Sequence, residues 1–138
     1  MLSLALGLGL TFAGCAYAQS NDYPARPIKL LLPLSAGSGG DSVGRMVAES
    51  MAKKMNGSVY VENRVGAGGT IGAAQAARSP NDGYTITMGG MTSHIIAPAV
   101  YAKLTYDPVT DFSQIGRIGT AGVVVVSSLD FPAKDLKE

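Results

Sequence analysis

Ile28-Lys29-Leu30-Leu31-Leu32-Pro33-Leu34-Ser35-Ala36-Gly37-Ser38-Gly39-Gly40-Asp41 is the stretch whose reading decides the fold. Its first five residues form a nearly continuous apolar run bounded by Pro27 and Pro33. A run without polar/apolar alternation reads as a strand buried on both faces, the kind found in parallel sheets. A Gly/Ser loop follows from Leu34 to Gly40, and Asp41 is the expected N-cap of a helix. Val43, Met46, Val47, Met51 and Met55 fall on one face of that helix and predict its core side, while Arg45, Glu49 and Lys53 recur at i,i+4 on another face. Asn56-Gly57 is the expected stop.

The same strand–loop–helix rhythm continues downstream. Val59-Tyr60-Val61 predicts a second strand that runs into Glu62-Asn63-Arg64. The loop Gly66 to Gly69 leads to a small-residue helix over Ile71 to Ala77, closed by Ser79-Pro80 and the turn Asn81-Asp82-Gly83. Tyr84 to Met88 predicts a third strand, and Gly89-Gly90 leads to a short helix from Ser93 to Ala97 that ends near Pro98. The repetition defines an α/β class with a doubly wound, mostly parallel sheet. Ile115 to Ile118 and Val123 to Ser127 predict two further strands. Phe131 to Glu138 resembles the opening turn of another helix, which suggests a truncated domain.

Composition narrows the functional classes. The chain has 138 residues, with 11 Lys+Arg against 10 Asp+Glu, 18 Gly and a single Cys. With a net charge of +1 and no basic run longer than Lys53-Lys54, nucleic acid is not an expected partner. One Cys and no Cys/His cluster exclude an internal disulfide, structural zinc and a CxxC redox site. Leu2 to Ala13 has the length of a signal-peptide h-region, and Ala16-Tyr17-Ala18 predicts cleavage before Gln19. Residues 1–18 are therefore expected to be a signal peptide and 19–138 a partial N-terminal ligand-binding domain, located in the periplasm. Phe12-Ala13-Gly14-Cys15 offers a competing lipid-attachment box at Cys15. The lack of a basic n-region suggests a start codon further upstream.

Ligands of parallel α/β sheets bind outside the carboxyl ends of the strands. Here each of those ends is glycine-rich: Ser35 to Gly40, Gly66 to Gly69, and Gly89-Gly90. Backbone N–H groups in such loops approach a ligand closely, and helix N-termini favour an anion. Three enzyme readings compete. Gly37-Ser38-Gly39-Gly40-Asp41-Ser42 approximates a dinucleotide fingerprint with Glu62 as the ribose acid, but the third glycine is missing and export separates the chain from the cytosolic cofactor. Ala36-Gly37-Ser38-Gly39-Gly40 resembles a degenerate nucleophile elbow with His94, the single histidine, as the base. A P-loop fails for want of Gly-Lys-Ser/Thr. His94 reads as a structural or ligand-lining residue. The scattered carboxylates define no acid/base pair, and no catalytic residue, metal ligand or cofactor is expected.

Tyr23-Pro24-Ala25-Arg26-Pro27-Ile28, the run Val61-Glu62-Asn63-Arg64-Val65-Gly66-Ala67-Gly68-Gly69-Thr70-Ile71-Gly72, Asp82-Gly83-Tyr84-Thr85, Pro98-Ala99-Val100-Tyr101 and Leu104-Thr105-Tyr106-Asp107-Pro108 together resemble the tripartite tricarboxylate transporter substrate-binding (TctC or Bug-type) receptors. Departures from that pattern are Ser38 for a glycine, Leu34 for an aromatic and Val65 for a proline. The resemblance implies the first domain of a type II periplasmic-binding-protein fold, with no enzymatic activity. Such a receptor closes two domains on a small organic carboxylate and delivers it to membrane permease subunits. The implied ligand-binding residues are Ser35, Ala36, Gly37, Ser38, Gly39, Gly40, Asp41, Gly68, Gly69, Gly90, Thr92, Ser93 and His94. A binding-incompetent fragment of such a receptor is the alternative.

Overall fold

A computed structural model describes residues 23–132 and Asp135; the expected signal peptide and most of the expected final helical turn lie outside these residues. Strand β1 (Ile28–Leu32), helix α1 (Gly39–Lys54), strand β2 (Val59–Asn63), a 3₁₀ turn (Ala67–Gly69), helix α2 (Thr70–Ala77) and strand β3 (Thr85–Thr87) follow in order. A π-helical turn (Met91–Ile96) then runs into the short helix α3 (Ala97–Val100). The strands make one parallel sheet in the order β2-β1-β3. Ile28 stands opposite Val59 and Leu32 opposite Asn63, while Lys29 to Leu31 pair with Thr85 to Thr87. As its apolar run predicts, β1 is the central strand, and Ile28, Leu31 and Leu32 are completely buried.

Alternation along β1 separates two cores. Leu30 and Leu32 pack against Ala48 of α1 together with Val59, Val61, Ile86 and Met88. On the opposite face Lys29 pairs with Glu62 at 3.6 Å, and Gln75 of α2 reaches the same carboxylate. Beyond it, Ala73 and Ala74 pack under Tyr106, with Leu104 and Phe112 beside them. The residues after α3 thus cross back over α2 and clamp it. The lead-in is tied down as well: Arg26 lies 4.0 Å over the Tyr84 ring and bonds Asp82 at 2.7 Å.

The face of α1 differs in part from expectation: Val47, Met51 and Met55 are half-buried, but two of the expected core residues are not. Its buried residues are Asp41, Gly44 and Ala48, while Met46 is 70% exposed and Val43 is also exposed. A Cβ on Gly44 would lie 2.6 Å from Leu32 Cδ1, so the helix approaches β1 too closely for large side chains on that line. The N-cap is Ser38 rather than Asp41. The predicted stop is observed: Asn56 takes φ 47° and the Gly57 amide donates to Ala52 O at 3.1 Å, the 6→1 bond of a Schellman closure. Pro98 does not end its helix but stands in the first turn of α3, which runs on to Val100.

The two strands predicted over Ile115–Ile118 and Val123–Ser127 do not form. No register pairs them with β1, β2 or β3, and Val123 to Val126 are between 73% and 83% exposed. β-Branched side chains favour an extended backbone, but a strand is completed only by a neighbour's N–H and C=O groups.

The helix–sheet spacing yields a paired prediction. A Cβ on Gly72 would meet Arg64 O at 2.6 Å and Pro33 Cβ at 2.9 Å, whereas one on Gly39 meets nothing within 4 Å. Gly72→Ala is expected to cost about 1–3 kcal/mol by overpacking. Gly39→Ala, in the first turn of α1, is expected to change stability by less than about 1 kcal/mol in either direction. Urea unfolding of the two variants checks the contrast.

Candidate functional site

The loop after β1 is held by a buried carboxylate. Ser38 Oγ accepts from the Asp41 amide at 3.2 Å, capping α1, and Asp41 Oδ2 accepts from the Gly37 amide at 2.8 Å. This is a capping box with its acid reaching one residue further back than usual. The Asp41 side chain is 4% exposed. It also receives Arg45 Nε at 2.9 Å and Asn63 Nδ2 at 2.9 Å. Asn63 Nδ2 donates in addition to Leu34 O at 3.0 Å, and Arg45 Nη2 donates to Asn63 Oδ1 at 3.0 Å. The Arg45, Asn63 and Gly37 donors hold the Asp41 pKa at about 2, against an ordinary value of 3.8.

The loop after β2 turns in the left-handed region, with φ 45° at Ala67, 65° at Gly68 and 86° at Gly69. Gly69 is required on two counts. Its φ excludes most L-residues, and a Cβ would lie 3.0 Å from Pro33 O and 3.4 Å from Ser93 Cβ. It is the point where all three loops touch.

After β3, Gly90 is extended and the π-helical turn begins. Ser93 is 3% exposed, its carbonyl accepts from the Tyr106 hydroxyl, and its Oγ lies 2.9 Å from His94 Nδ1. The His94 ring packs on Phe112 with centroids 4.9 Å apart and lies 6.3 Å from the Tyr106 ring. Burial lowers the His94 pKa below 6.5.

These loops line an open cavity of about 340 Å³ at the carboxyl edge of the sheet, formed by Pro33, Leu34 and Ser35, by Val65, Gly66, Gly68 and Gly69, and by Gly90, Met91, Thr92 and Ser93. No lining residue carries a charge, so an occupant meets backbone dipoles, hydroxyls and apolar surface. Of the residues singled out by sequence, Ser35, Gly68, Gly69, Gly90, Thr92 and Ser93 share this wall. Ala36, Gly37, Ser38, Gly39, Gly40 and Asp41 lie in the adjoining turn and first turn of α1, outside the lining, and His94 sits in the aromatic cluster. Glu62, the ribose acid of the dinucleotide reading, is engaged by Arg64 at 2.7 Å and by Lys29. Gly66 belongs to a glycine loop expected at this edge, while Pro33, Leu34, Val65 and Met91 line the cavity without having been among the expected binding residues. Leu34 and Val65 stand just past strand ends, the position that points to a ligand in this architecture.

Among the described residues no group of three or more His, Cys, Asp or Glu is placed to hold a metal ion, and no helix is long and apolar enough to cross a membrane. A parallel α/β domain with an uncharged cavity at its carboxyl edge defines a small-ligand-binding class. Residues 43–138 match the tripartite tricarboxylate transporter family receptor, TctC, and the chain belongs to this family. It is 39% identical over 118 residues to the UPF0065 protein in the TAR-I ttuE-ttuC' intergenic region of Agrobacterium vitis, covering 85% of this chain and 34% of that protein. Among solved structures it is similar to the periplasmic binding protein BugD, with 43% identity and a TM-score of 0.62 over 65% of this chain and 30% of that one. It is also similar to MatC from Rhodopseudomonas palustris with bound malate, with 36% identity and a TM-score of 0.63 over 65% of this chain and 31% of that one. The chain spans about a third of the length of the curated relatives it matches.

The Asp41 network carries a pH signature. A carboxyl acidified by folding stabilises the fold above its unfolded pKa, and that contribution is lost as pH falls through the folded value. Thermal unfolding is expected to lose this part of its stability between about pH 4 and pH 2. Asp41→Asn is expected to be less stable at pH 6 and to show a shallower decline over the acid range. Asn63→Ala, which strips a donor from both Asp41 and Leu34 O, is expected to cost about 1–3 kcal/mol at pH 7.

Proposed function

We propose that residues 19–138 form a ligand-binding wall of an extracytoplasmic solute receptor that captures a small carboxylate and delivers it to the permease subunits of a tripartite transporter. In this reading residues 1–18 are the export signal, which places the protein in the periplasm, and no residue has a catalytic role. The observation that carries it is the meeting of three strand-end loops at one cavity whose wall has hydroxyls and backbone amides but no charged side chain. A carboxylate bound by such dipoles is held by short, charge-assisted hydrogen bonds without a countercharge. Malate in the structure of the similar MatC protein supports the ligand class. Ser35, Thr92 and Ser93 supply hydroxyls and Gly68, Gly69 and Gly90 allow close approach. Ala36, Gly37, Ser38, Gly39, Gly40 and Asp41 fix the first loop and aim the N-terminus of α1.

Calorimetric titration and thermal shift of the full chain against mono- and dicarboxylates, malate included, test the proposal. A ligand at 100 times its Kd stabilises by about 2.7 kcal/mol. Thr92→Ala and Ser35→Ala are each expected to weaken binding about 3- to 10-fold. Because the wall is uncharged, affinity is expected to change little between low and moderate salt. A flat response across the carboxylate panel, or turnover of an ester or nicotinamide substrate, overturns the reading.

A further inference from the structure

The Ser93–His94 contact joins neighbouring residues at the cavity wall. Ser93 lines the cavity, and its Oγ is 2.9 Å from His94 Nδ1. The ring itself cannot swing away. Phe112 and Tyr106 pack against it, and it lies so near Gly89 that a Cβ there would meet ring atoms at 3.0–3.1 Å. The Tyr106 hydroxyl fixes the other side of the pair by donating to the Ser93 carbonyl. All of this lies in or against a π-helical turn, a geometry that recurs at functional sites.

We propose that His94 is a positioning residue that sets the direction of the Ser93 hydroxyl, and that its protonation converts Ser93 from an acceptor to a donor toward a bound carboxylate; this rests on the carboxylate reading above. A hydroxyl has one proton to give. When the imidazole is neutral with its proton on Nε2, Nδ1 accepts the hydrogen bond of the Ser93 O–H and the oxygen lone pairs face the cavity, where they repel an anion. When the ring is protonated, Nδ1–H donates to Oγ and the Ser93 O–H is released to the ligand. Affinity therefore rises as pH falls. The titratable group facing the ring is Tyr106, with Tyr101 coupled to it. Asp107 and Asp111, in the segment that carries the clamp, accept from amides of their own turn. Among the described residues no carboxylate or ammonium forms an ion pair with His94, and burial keeps its titration on the acid side of 6.5.

Malate affinity of the full chain, measured from pH 7.5 to pH 5 for wild type, His94→Asn and Ser93→Ala, tests the assignment. The ratio of wild-type to His94→Asn affinity removes malate's own titration. That ratio is expected to grow as pH falls, towards the roughly 3- to 10-fold worth of one hydrogen bond once the ring is protonated, and Ser93→Ala is expected to lose the same increment. Parallel profiles for the three proteins overturn the proposal. A ligand-free readout comes from ¹⁵N chemical shifts of the imidazole. The Nε2–H tautomer is expected at pH 7.5, and a neutral ring protonated on Nδ1 overturns the assignment. Failure of every carboxylate to bind at any pH sinks the receptor reading, and the tautomer then decides the Ser93–His94 assignment alone.

Discussion

The buried carboxylate of Asp41 is the constraint on which the site depends. It joins three pieces of backbone that a parallel sheet leaves independent: the loop leaving β1, the first turn of α1 and the end of β2. Gly37 donates to it from the loop, Arg45 from the helix, and Asn63 from the neighbouring strand, which also holds Leu34 O. A carboxylate buried without donors is costly, so each member of this set is bound to the others by a desolvation penalty as well as by its own bond. The outcome is a loop of fixed shape built from glycine and serine, residues with little shape of their own. Because the charges satisfy one another inside this network, none projects into the adjoining cavity.

Close approach of backbones sets the cavity's dimensions. Gly44 lets α1 settle onto Leu32, Gly72 lets α2 settle onto Pro33, and Gly69 lets the second loop touch both the first loop and Ser93. A methyl group at Gly72 or Gly69 would push one strand-end loop away from the others, because the atoms it meets include backbone rather than only flexible side-chain tips. The high glycine content of the chain thus has two physical origins. Some glycines allow left-handed turns, and others exist because a helix or loop lies against a strand with no room for a Cβ.

Much of this was legible in the sequence. The apolar run of β1, the Asn56-Gly57 stop and the glycine loops after each strand specified a parallel α/β unit and the edge where the cavity lies. Met46 and Val43 were wrongly assigned to the core face of α1 because hydrophobicity alone ranks them above Gly44 and Ala48. What decides the buried line is the helix–strand distance, which small residues create and periodicity does not report. Asp41 was misplaced as a cap for a related reason. Asp and Ser are both good caps, and only the hydrogen bonds from Asn63, 22 residues away, show which of them belongs inside. Leu34, Val65 and Met91 escaped notice as lining residues because an apolar side chain beside a glycine loop has no chemical signature before the loops are brought together.

The segment from Ile115 to Ser127 shows where local reading ends in principle. Val123 to Val126 have as strong an extended preference as any stretch of the chain, stronger than Thr85–Thr87, which does form a strand. Thr85–Thr87 succeeds because β1 stands beside it in register, supplying both the hydrogen bonds and the buried face. A helix satisfies its own N–H and C=O groups within a few residues, so its propensity is a property of its sequence. A strand's are satisfied by another strand, so its propensity is realised only with a partner whose position no local pattern encodes. The same asymmetry explains the site. Each glycine loop was readable by itself, but their convergence on one cavity follows from the order β2-β1-β3, which brings the ends of three strands distant in sequence to a single edge.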